Sequence, residues 1–387
     1  MKGHLRQRSP GSFELKVDIG KGADGKRIVE YRTFRGTKRQ AQGELAKLIV
    51  ALGRGEHVAK SALTVGEHVA DRIEQWVALK QITPKTAERY RELLRYQIAP
   101  YIGGVMLQAL KAPDIERWHG ALLTSGRKDG QGGLSKLTIR HAHRLLSKAL
   151  KQAQLHELTI RNVASIQPPP KVTRDEVTIL TAEQVHGVVH KLAHRVIYLK
   201  TLIALFTGMR RGEILALRWE RVDLERKIIK VCEALEETQN GKVLRFKKPK
   251  SEAGSRDISL PDLLVEKLRD LRRQQLEQRV ALGLGKLRDD ALLFPRLDGR
   301  PSSPLTLSKE WAKAAASIGL DGVTFHSLRH THVSALIDAG IDVVKISKRI
   351  GHASPTTTLN VYAHLFARRE DKTAGAINDA MAALVTV

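Results

Sequence analysis

Apolar and polar positions change period several times along the chain, and each change marks an element. Phe13, Leu15, Val17 and Ile19 alternate with polar neighbours at the strand period of two, Asp24-Gly25-Lys26 supplies a hairpin turn, and residues 27–34 give a return strand. A further strand fits residues 3–8, and Thr37-Lys38-Arg39-Gln40 opens a helix to about Leu52. From Leu63 the pattern turns helical. Thr64 and Glu67 form a capping box, and helices follow at about 65–80, 84–99, 112–124 and 135–155. Pro84 and Pro113 sit in first turns, where the missing N–H removes no bond. A glycine-rich loop covers residues 125–133, and Pro168-Pro169-Pro170-Lys171 reads as a stiff, extended linker.

Beyond the linker, Leu180-Thr181-Ala182-Glu183-Gln184-Val185 starts another helix with a capping box and a hydrophobic staple. An apolar helix over residues 198–206 ends at Thr207-Gly208-Met209-Arg210-Arg211-Gly212-Glu213, where the glycine breaks one helix and Arg210 begins the next. Residues 227–233 read as a strand, Asn240-Gly241 as a two-residue hairpin turn, 243–246 as the return strand and 257–260 as a third. Near the end of the chain, residues 328–339 read as a helix stopped by Gly340, 341–350 as a second punctuated by Gly351, and 359–362 as part of a third. At the end of the chain Ile377, Ala380, Met381 and Leu384 share one helical stripe. The chain is therefore expected to be mainly α with small antiparallel β-sheets, in parts spanning 1–60, 64–165 and 175–387, with a Pro-rich linker over 166–174.

Composition narrows the function. Lys+Arg 66 against Asp+Glu 41 gives a net charge of +25, the footprint of a nucleic-acid binder whose cations displace counterions from phosphates. A merely soluble basic protein or a binder of acidic membranes would carry the same charge. One cysteine, Cys232, excludes an intramolecular disulfide framework and a Cys-rich zinc site, and fits a reducing compartment. No run of about 18 apolar residues is present, and the basic start of the chain lacks the apolar stretch of a secretory signal. Arg140, Arg144, Lys148 and Lys151 recur at helical spacing, so that face either tracks a phosphate backbone or is simply solvated. Trp76 and Trp118 lie among apolar neighbours and read as core.

The chemistry concentrates near the C-terminus. Phe325-His326-Ser327-Leu328-Arg329-His330-Thr331-His332 is followed by Gly351-His352 and by Tyr362, with few carboxylates nearby. Histidine moves protons near neutral pH, arginine braces phosphate oxygens with a planar fork, and tyrosine is a nucleophile for covalent catalysis. On a helix His326 and Arg329 face the same point. Clustered His326, His330 and His332 raise the rival of a metal site, yet no carboxylate or thiol pattern of ligand spacing accompanies them.

This constellation resembles the tyrosine recombinases, or phage-type integrases. That family has His-x-x-Arg, then Gly-His, then Tyr ten residues later, with an upstream Arg in Thr-Gly-x-Arg-x-x-Glu and a Lys in a β-hairpin. The resemblance implies a three-part architecture: a β-rich arm-type DNA-binding domain, a helical, SAM-like core-binding domain, and a mixed α+β catalytic domain. The front module could instead be structural. The resemblance selects Arg210, Lys250, His326, Arg329, His352 and Tyr362 as catalytic, with Glu213 in support and Lys247 or Lys248 as alternatives to Lys250.

By that resemblance Tyr362 attacks a scissile phosphorus and gives a 3′-phosphotyrosine. Arg210 and Arg329 clamp the non-bridging oxygens, His352 bonds a phosphate oxygen, and Lys250 protonates the leaving 5′-oxygen. His326 or a neighbouring group helps the phenol lose its proton, since it ordinarily does so near pH 10. The implied activity is site-specific recombination of double-stranded DNA without metal, ATP or other cofactor, by a phage or mobile-element integrase in the bacterial cytoplasm. The implied partners are a homotetramer on two duplexes and a DNA-bending or directionality factor, with the C-terminal tail docked in cis or in trans. The alternatives are a type IB-like topoisomerase and a non-catalytic DNA-binding regulator of the same fold.

Overall fold

The computed structural model describes residues 3–21, 27–53, 61–173, 176–241, 243–249, 252–367, 375, 377–378 and 381–382. The chain divides into two compact units between Thr173 and Arg174.

The first unit opens with an antiparallel sheet in the order β1 (Gly3–Ser9), β2 (Ser12–Lys21), β3 (Arg27–Arg35). Alternation places Phe13, Leu15 and Val17 on one face, where they are buried with Ala41 and Leu48 of α1 (Lys38–Gly53). The expected turn at Asp24-Gly25-Lys26 lies outside the described residues. Next come α2 (Val65–Ala78), capped by Thr64 and Glu67, and α3 (Pro84–Leu93), capped by Thr83. The helix expected to run to residue 99 instead leaves the α form, and Leu94–Gly103 winds as a wider π-type coil. Pro100 lies inside it; its ring and missing N–H are incompatible with an α ladder. The helices α4 (Ala112–Ser125), α5 (Lys136–Leu155) and α6 (Val163–Ile166) complete the unit. Trp76 and Trp118 are core residues as the pattern requires, and the Trp118 indole N–H donates to the Gln97 carbonyl at 2.6 Å.

The second unit begins with α7 (Ala182–Lys191), α8 (Tyr198–Thr207) and α9 (Arg211–Leu215). Five strands follow: β4 (Val222–Asp223), β5 (Ile228–Val231), β6 (Ala234–Thr238), β7 (Val243–Lys247) and β8 (Arg256–Ser259). They correct the expected hairpin. The strand at 227–233 does not pair with 243–247; β6 does, while β5 lies between β4 and β8. The physical reason is burial: Ile229 and Ile258 face each other across β5 and β8 and are both fully buried, which fixes that pairing through their apolar side chains. The helices α10 (Asp262–Ala281), α11 (Pro304–Ala316), α12 (Phe325–Asp338), α13 (Val343–Ile350) and α14 (Pro355–Ala367) finish the unit. Thr324 caps α12 by accepting from the Ser327 N–H at 3.2 Å. Phe325 and Leu328 of α12 join the main apolar core, whereas Val333 and Ile337 form a second cluster with Ile346, Ile350, Tyr362 and Leu365. Helix α12 therefore borders both clusters and carries the residues between them. Among the described residues no helix is long and apolar enough to cross a membrane.

Candidate active site

The site is assembled from helix ends. Helix α8 stops at Gly208, which adopts a left-handed conformation (φ 65°); a Cβ there would lie 2.6 Å from Cδ2 of His332. Helix α13 stops at Gly351 in the same way (φ 68°), with Nη1 of Arg256 2.8 Å from where a Cβ would be. Carbonyls left unpaired at helix C-termini are good acceptors for cations. Arg329, only 2% exposed, donates from Nη1 to the Gly208 carbonyl and from Nη2 to the Ile350 carbonyl, both at 2.6 Å. Arg210 donates from Nη2 to the Gly351 carbonyl at 3.1 Å. Two glycine-terminated helices thus hold both candidate phosphate-clamping arginines.

Glu213 fixes the other side of Arg210. Its Oε1 accepts from Arg210 Nη1 at 2.8 Å and its Oε2 from the Arg210 backbone N–H at 2.9 Å. The same carboxylate accepts from Arg256 Nη2 at 2.9 Å and Nη1 at 3.3 Å, and Arg256 Nε donates to the Arg349 carbonyl at 2.6 Å. Burial works to raise the Glu213 pKa, but the hydrogen bonds and charges of Arg256 and Arg210 outweigh it and hold the group below its ordinary value. Arg211 points elsewhere and donates to the Ser308 hydroxyl.

The histidines divide by their partners. His332 is buried with Nδ1 2.8 Å from the Leu205 carbonyl, while Nε2 accepts from Arg349 Nε at 3.2 Å. That assigns the proton to Nδ1 and makes His332 a neutral structural link; burial and then Arg349 hold its pKa at about 4. His352 shares a hydrogen bond of 2.9 Å between Nδ1 and the Thr358 hydroxyl. Its pKa is also held at about 4, by burial and then by Arg329, Arg210 and Arg256. The outer edge of His326 is open to solvent, yet the protein packed around its ring, with His330 and the nearby arginines, brings its pKa down to about 4. His330 Nδ1 lies 2.7 Å from the hydroxyl of Tyr362. Tyr362 is 1% exposed, and burial pushes its pKa up to about 12 against the opposing pull of Arg329 and Arg210.

These contacts bring Arg210, His326, Arg329, His352 and Tyr362 into one cluster with Glu213. Among the described residues no group of three or more His, Cys, Asp or Glu is arranged to hold a metal. Two guanidiniums near enough to pull down the pKa of a tyrosine suit in-line displacement at a phosphodiester.

A model of the phage integrase family matches residues 173–369, and one of the phage integrase N-terminal SAM-like domain matches residues 69–123. The chain belongs to the phage integrase family. As a member it is a site-specific DNA recombinase of the kind carried by phages and mobile elements, an enzyme that breaks and rejoins DNA strands. It is 23% identical to a XerC-like tyrosine recombinase of Caldanaerobacter subterraneus subsp. tengcongensis, over 95% of this chain and 96% of the relative. The ICEBs1 integrase of Bacillus subtilis is 27% identical, over 75% of this chain and 77% of the relative. The fold is similar to that of the Tn1549 transposon integrase in complex with transposon right end DNA: TM-score 0.64, 23% identity, 82% of this chain and 99% of that one.

Several sequence expectations of this recombinase fall elsewhere. Lys250 lies outside the described residues. Of its alternatives, Lys247 is paired with Glu236 at 2.5 Å, and Lys248 is exposed. On α5, Arg144, Lys148 and Lys151 are exposed and Arg140 is half-buried. The ammonium of Lys148 lies 3.9 Å from the centre of the Trp76 ring, so it is already engaged in a cation–π contact. In the tail, Ile377 and Met381 are exposed, and Ala380 and Leu384 lie outside the described residues. Two residues of the site were not singled out from sequence. Arg256 ends the run Lys250-Ser251-Glu252-Ala253-Gly254-Ser255-Arg256 that follows the hairpin, and His330 stands out only as a member of a histidine cluster.

Proposed function

We propose that Tyr362 is the nucleophile that cuts one DNA strand and stays joined to it as a 3′-phosphotyrosine, and that this cluster is the recombinase's catalytic centre. The observation that carries the reading is the pair of arginine forks, Arg210 and Arg329, held by helix-end carbonyls and both acting on the charge of Tyr362. As the phenolic oxygen attacks phosphorus, negative charge grows on the non-bridging oxygens, and the two guanidiniums stabilise it. His326 and His352, which feel the charge of the same arginines, are assigned to donate a ring N–H to the phosphate. Lys250 is assigned the proton for the leaving 5′-oxygen. The phosphotyrosine conserves the energy of the broken ester, so a 5′-hydroxyl from another duplex reseals the strand without ATP.

Each tyrosine cuts one strand, and exchange between two duplexes needs four cuts. This supports a homotetramer on two DNA duplexes. The depth of Tyr362 further supports a nucleophile withheld until DNA and partner protomers are in place. Arg144 and Lys151 on α5 are assigned to the DNA backbone, with Arg140 and Lys148 beside them.

The test is to incubate the protein with duplexes bearing the repeats that flank its element, and separately with a supercoiled plasmid lacking them. Joined recombinants from paired sites, lost in Tyr362→Phe, are expected. Relaxation of the plasmid without recombinants would favour a topoisomerase, and tight binding without either product would favour a regulator.

A further inference from the structure

Attack by Tyr362 leaves one proton unassigned, and the geometry points to His330 as its acceptor: we infer that the His330 imidazole takes the phenolic proton as the Tyr362 oxygen bonds to phosphorus. The inference rests on the reading of Tyr362 as the nucleophile. Among the described histidines of the site, His332 is engaged with Leu205 and Arg349, and His352 with Thr358. His330 is the one whose ring nitrogen is bonded to the Tyr362 hydroxyl, at 2.7 Å, within the range required of a general base.

The role requires a bare Nδ1, with the ring proton on Nε2. The titratable and charged groups facing His330 are His326 and Arg329 on α12, and Tyr362 on α14. Burial, and then Arg329, hold the imidazole neutral at physiological pH. His326 packs edge-on against it, ring centres 4.7 Å apart and planes at 86°, which limits rotation away from the tyrosine. In the free protein a phenol raised to about 12 does not ionise onto an imidazole lowered to about 4. Transfer therefore accompanies bond formation, when the phenolic oxygen loses basicity and the phosphate charge favours an imidazolium nearby. The balance is closed: the Tyr362 O–H and the P–O5′ bonds break, the Tyr362 O–P and His330 N–H bonds form, and a separate acid protonates the 5′-oxygen. His330 is then poised to return its proton to Tyr362 when the 5′-hydroxyl of the second duplex reverses the reaction.

The test uses the full-length protein on its cleavage site in two forms, an ordinary phosphodiester and a 5′-bridging phosphorothiolate whose leaving thiolate needs no acid. Single-turnover adduct formation is measured for wild type, His330→Ala, His330→Asn and Tyr362→Phe, with DNA affinity and unfolding midpoint recorded for each. The asparagine amide oxygen lies near the position of Nδ1 and accepts the tyrosine hydrogen bond, but it does not hold a proton. Both His330 variants are expected to lose about 100-fold or more in rate. The loss should persist on the phosphorothiolate, whereas loss of the leaving-group acid is rescued there. The wild-type rate should fall with acidification, a limb absent from His330→Asn. A near-wild-type rate for His330→Asn would reduce His330 to a positioning residue, and one for His330→Ala would remove it from the reaction; either overturns the inference. Adduct formation by Tyr362→Phe would instead overturn the nucleophile assignment beneath it.

Discussion

Glu213→Gln tests whether the buried carboxylate organises both arginines around the site. Glu213 and the Arg256 side chain are each about 6–7% exposed, and the carboxylate accepts two bonds from Arg210 and two from Arg256. Glutamine keeps the shape but offers a single acceptor oxygen, so its amide N–H₂ must face donors on one side. Hydrogen bonds to charged groups contribute roughly 1.5–3 kcal/mol each, and removing one partner of a buried ion pair costs roughly 3–5 kcal/mol because the other charge is left unpaired. Arg210 is half-exposed and recovers water, so most of the loss arises at Arg256. The expected destabilisation of the second unit is about 4 kcal/mol, a large part of the stability of an ordinary domain. Urea titration followed by hydrogen exchange in the segments of α9, β8 and α13 reads that loss within the unit. Adding Arg256→Met should recover part of it, since the unpaired cation is then gone. A change below about 1 kcal/mol, with unaltered exchange at β8, would refute the assignment of Glu213 as the pivot of the network.

Other consequences follow from the same contacts. Gly351→Ala places a Cβ 3.1 Å from the Ala253 carbonyl and 2.8 Å from Arg256 Nη1 at a φ of 68°; a loss of about 3 kcal/mol is expected from the left-handed backbone and the overpacking together, read as a drop in urea midpoint. Arg329→Lys leaves one ammonium to serve both the Gly208 and Ile350 carbonyls and a phosphate, so single-turnover cleavage should fall about 100- to 1,000-fold with DNA affinity little changed. His143 in the first unit and His332 in the second are both buried, with pKa values of about 4 against about 6.5 when unfolded. Their folded pKa values are depressed, so the stability they contribute is complete above about pH 6.5 and is lost as pH falls toward 4, by about 3 kcal/mol for each. A urea midpoint unchanged between pH 7.5 and 4.5 would contradict this.

Several helices and the first sheet's buried face were legible because each has a local cause. Thr64, Thr181 and Thr324 cap helices from their own positions, Gly208 and Gly351 end them, and the alternation of Phe13, Leu15 and Val17 specifies a sheet face. What was not legible depends on partners distant in sequence. The pairing of β5 with β8 rather than β7 is set by the buried contact of Ile229 with Ile258, and strand period alone does not choose among neighbours. The role of Arg256 rests on a bond to Glu213 across 43 residues, and that of His330 on a bond to Tyr362 across 32. The carbonyls of Gly208, Ile350 and Gly351 that orient the arginines carry no sequence signature, since every residue has one. At Leu94–Gly103 the apolar pattern continues through Pro100, whose ring and missing N–H break the α ladder of the preceding turn.

The most direct test of the central claim is to trap the protein on a randomised library of nicked duplexes and map the covalent linkage by mass spectrometry. The account predicts a denaturation-resistant DNA adduct in which the tryptic peptide spanning residues 350–368 carries a nucleotide on Tyr362, with no adduct from Tyr362→Phe. A nucleotide on any other residue, or an adduct that survives Tyr362→Phe, would contradict it.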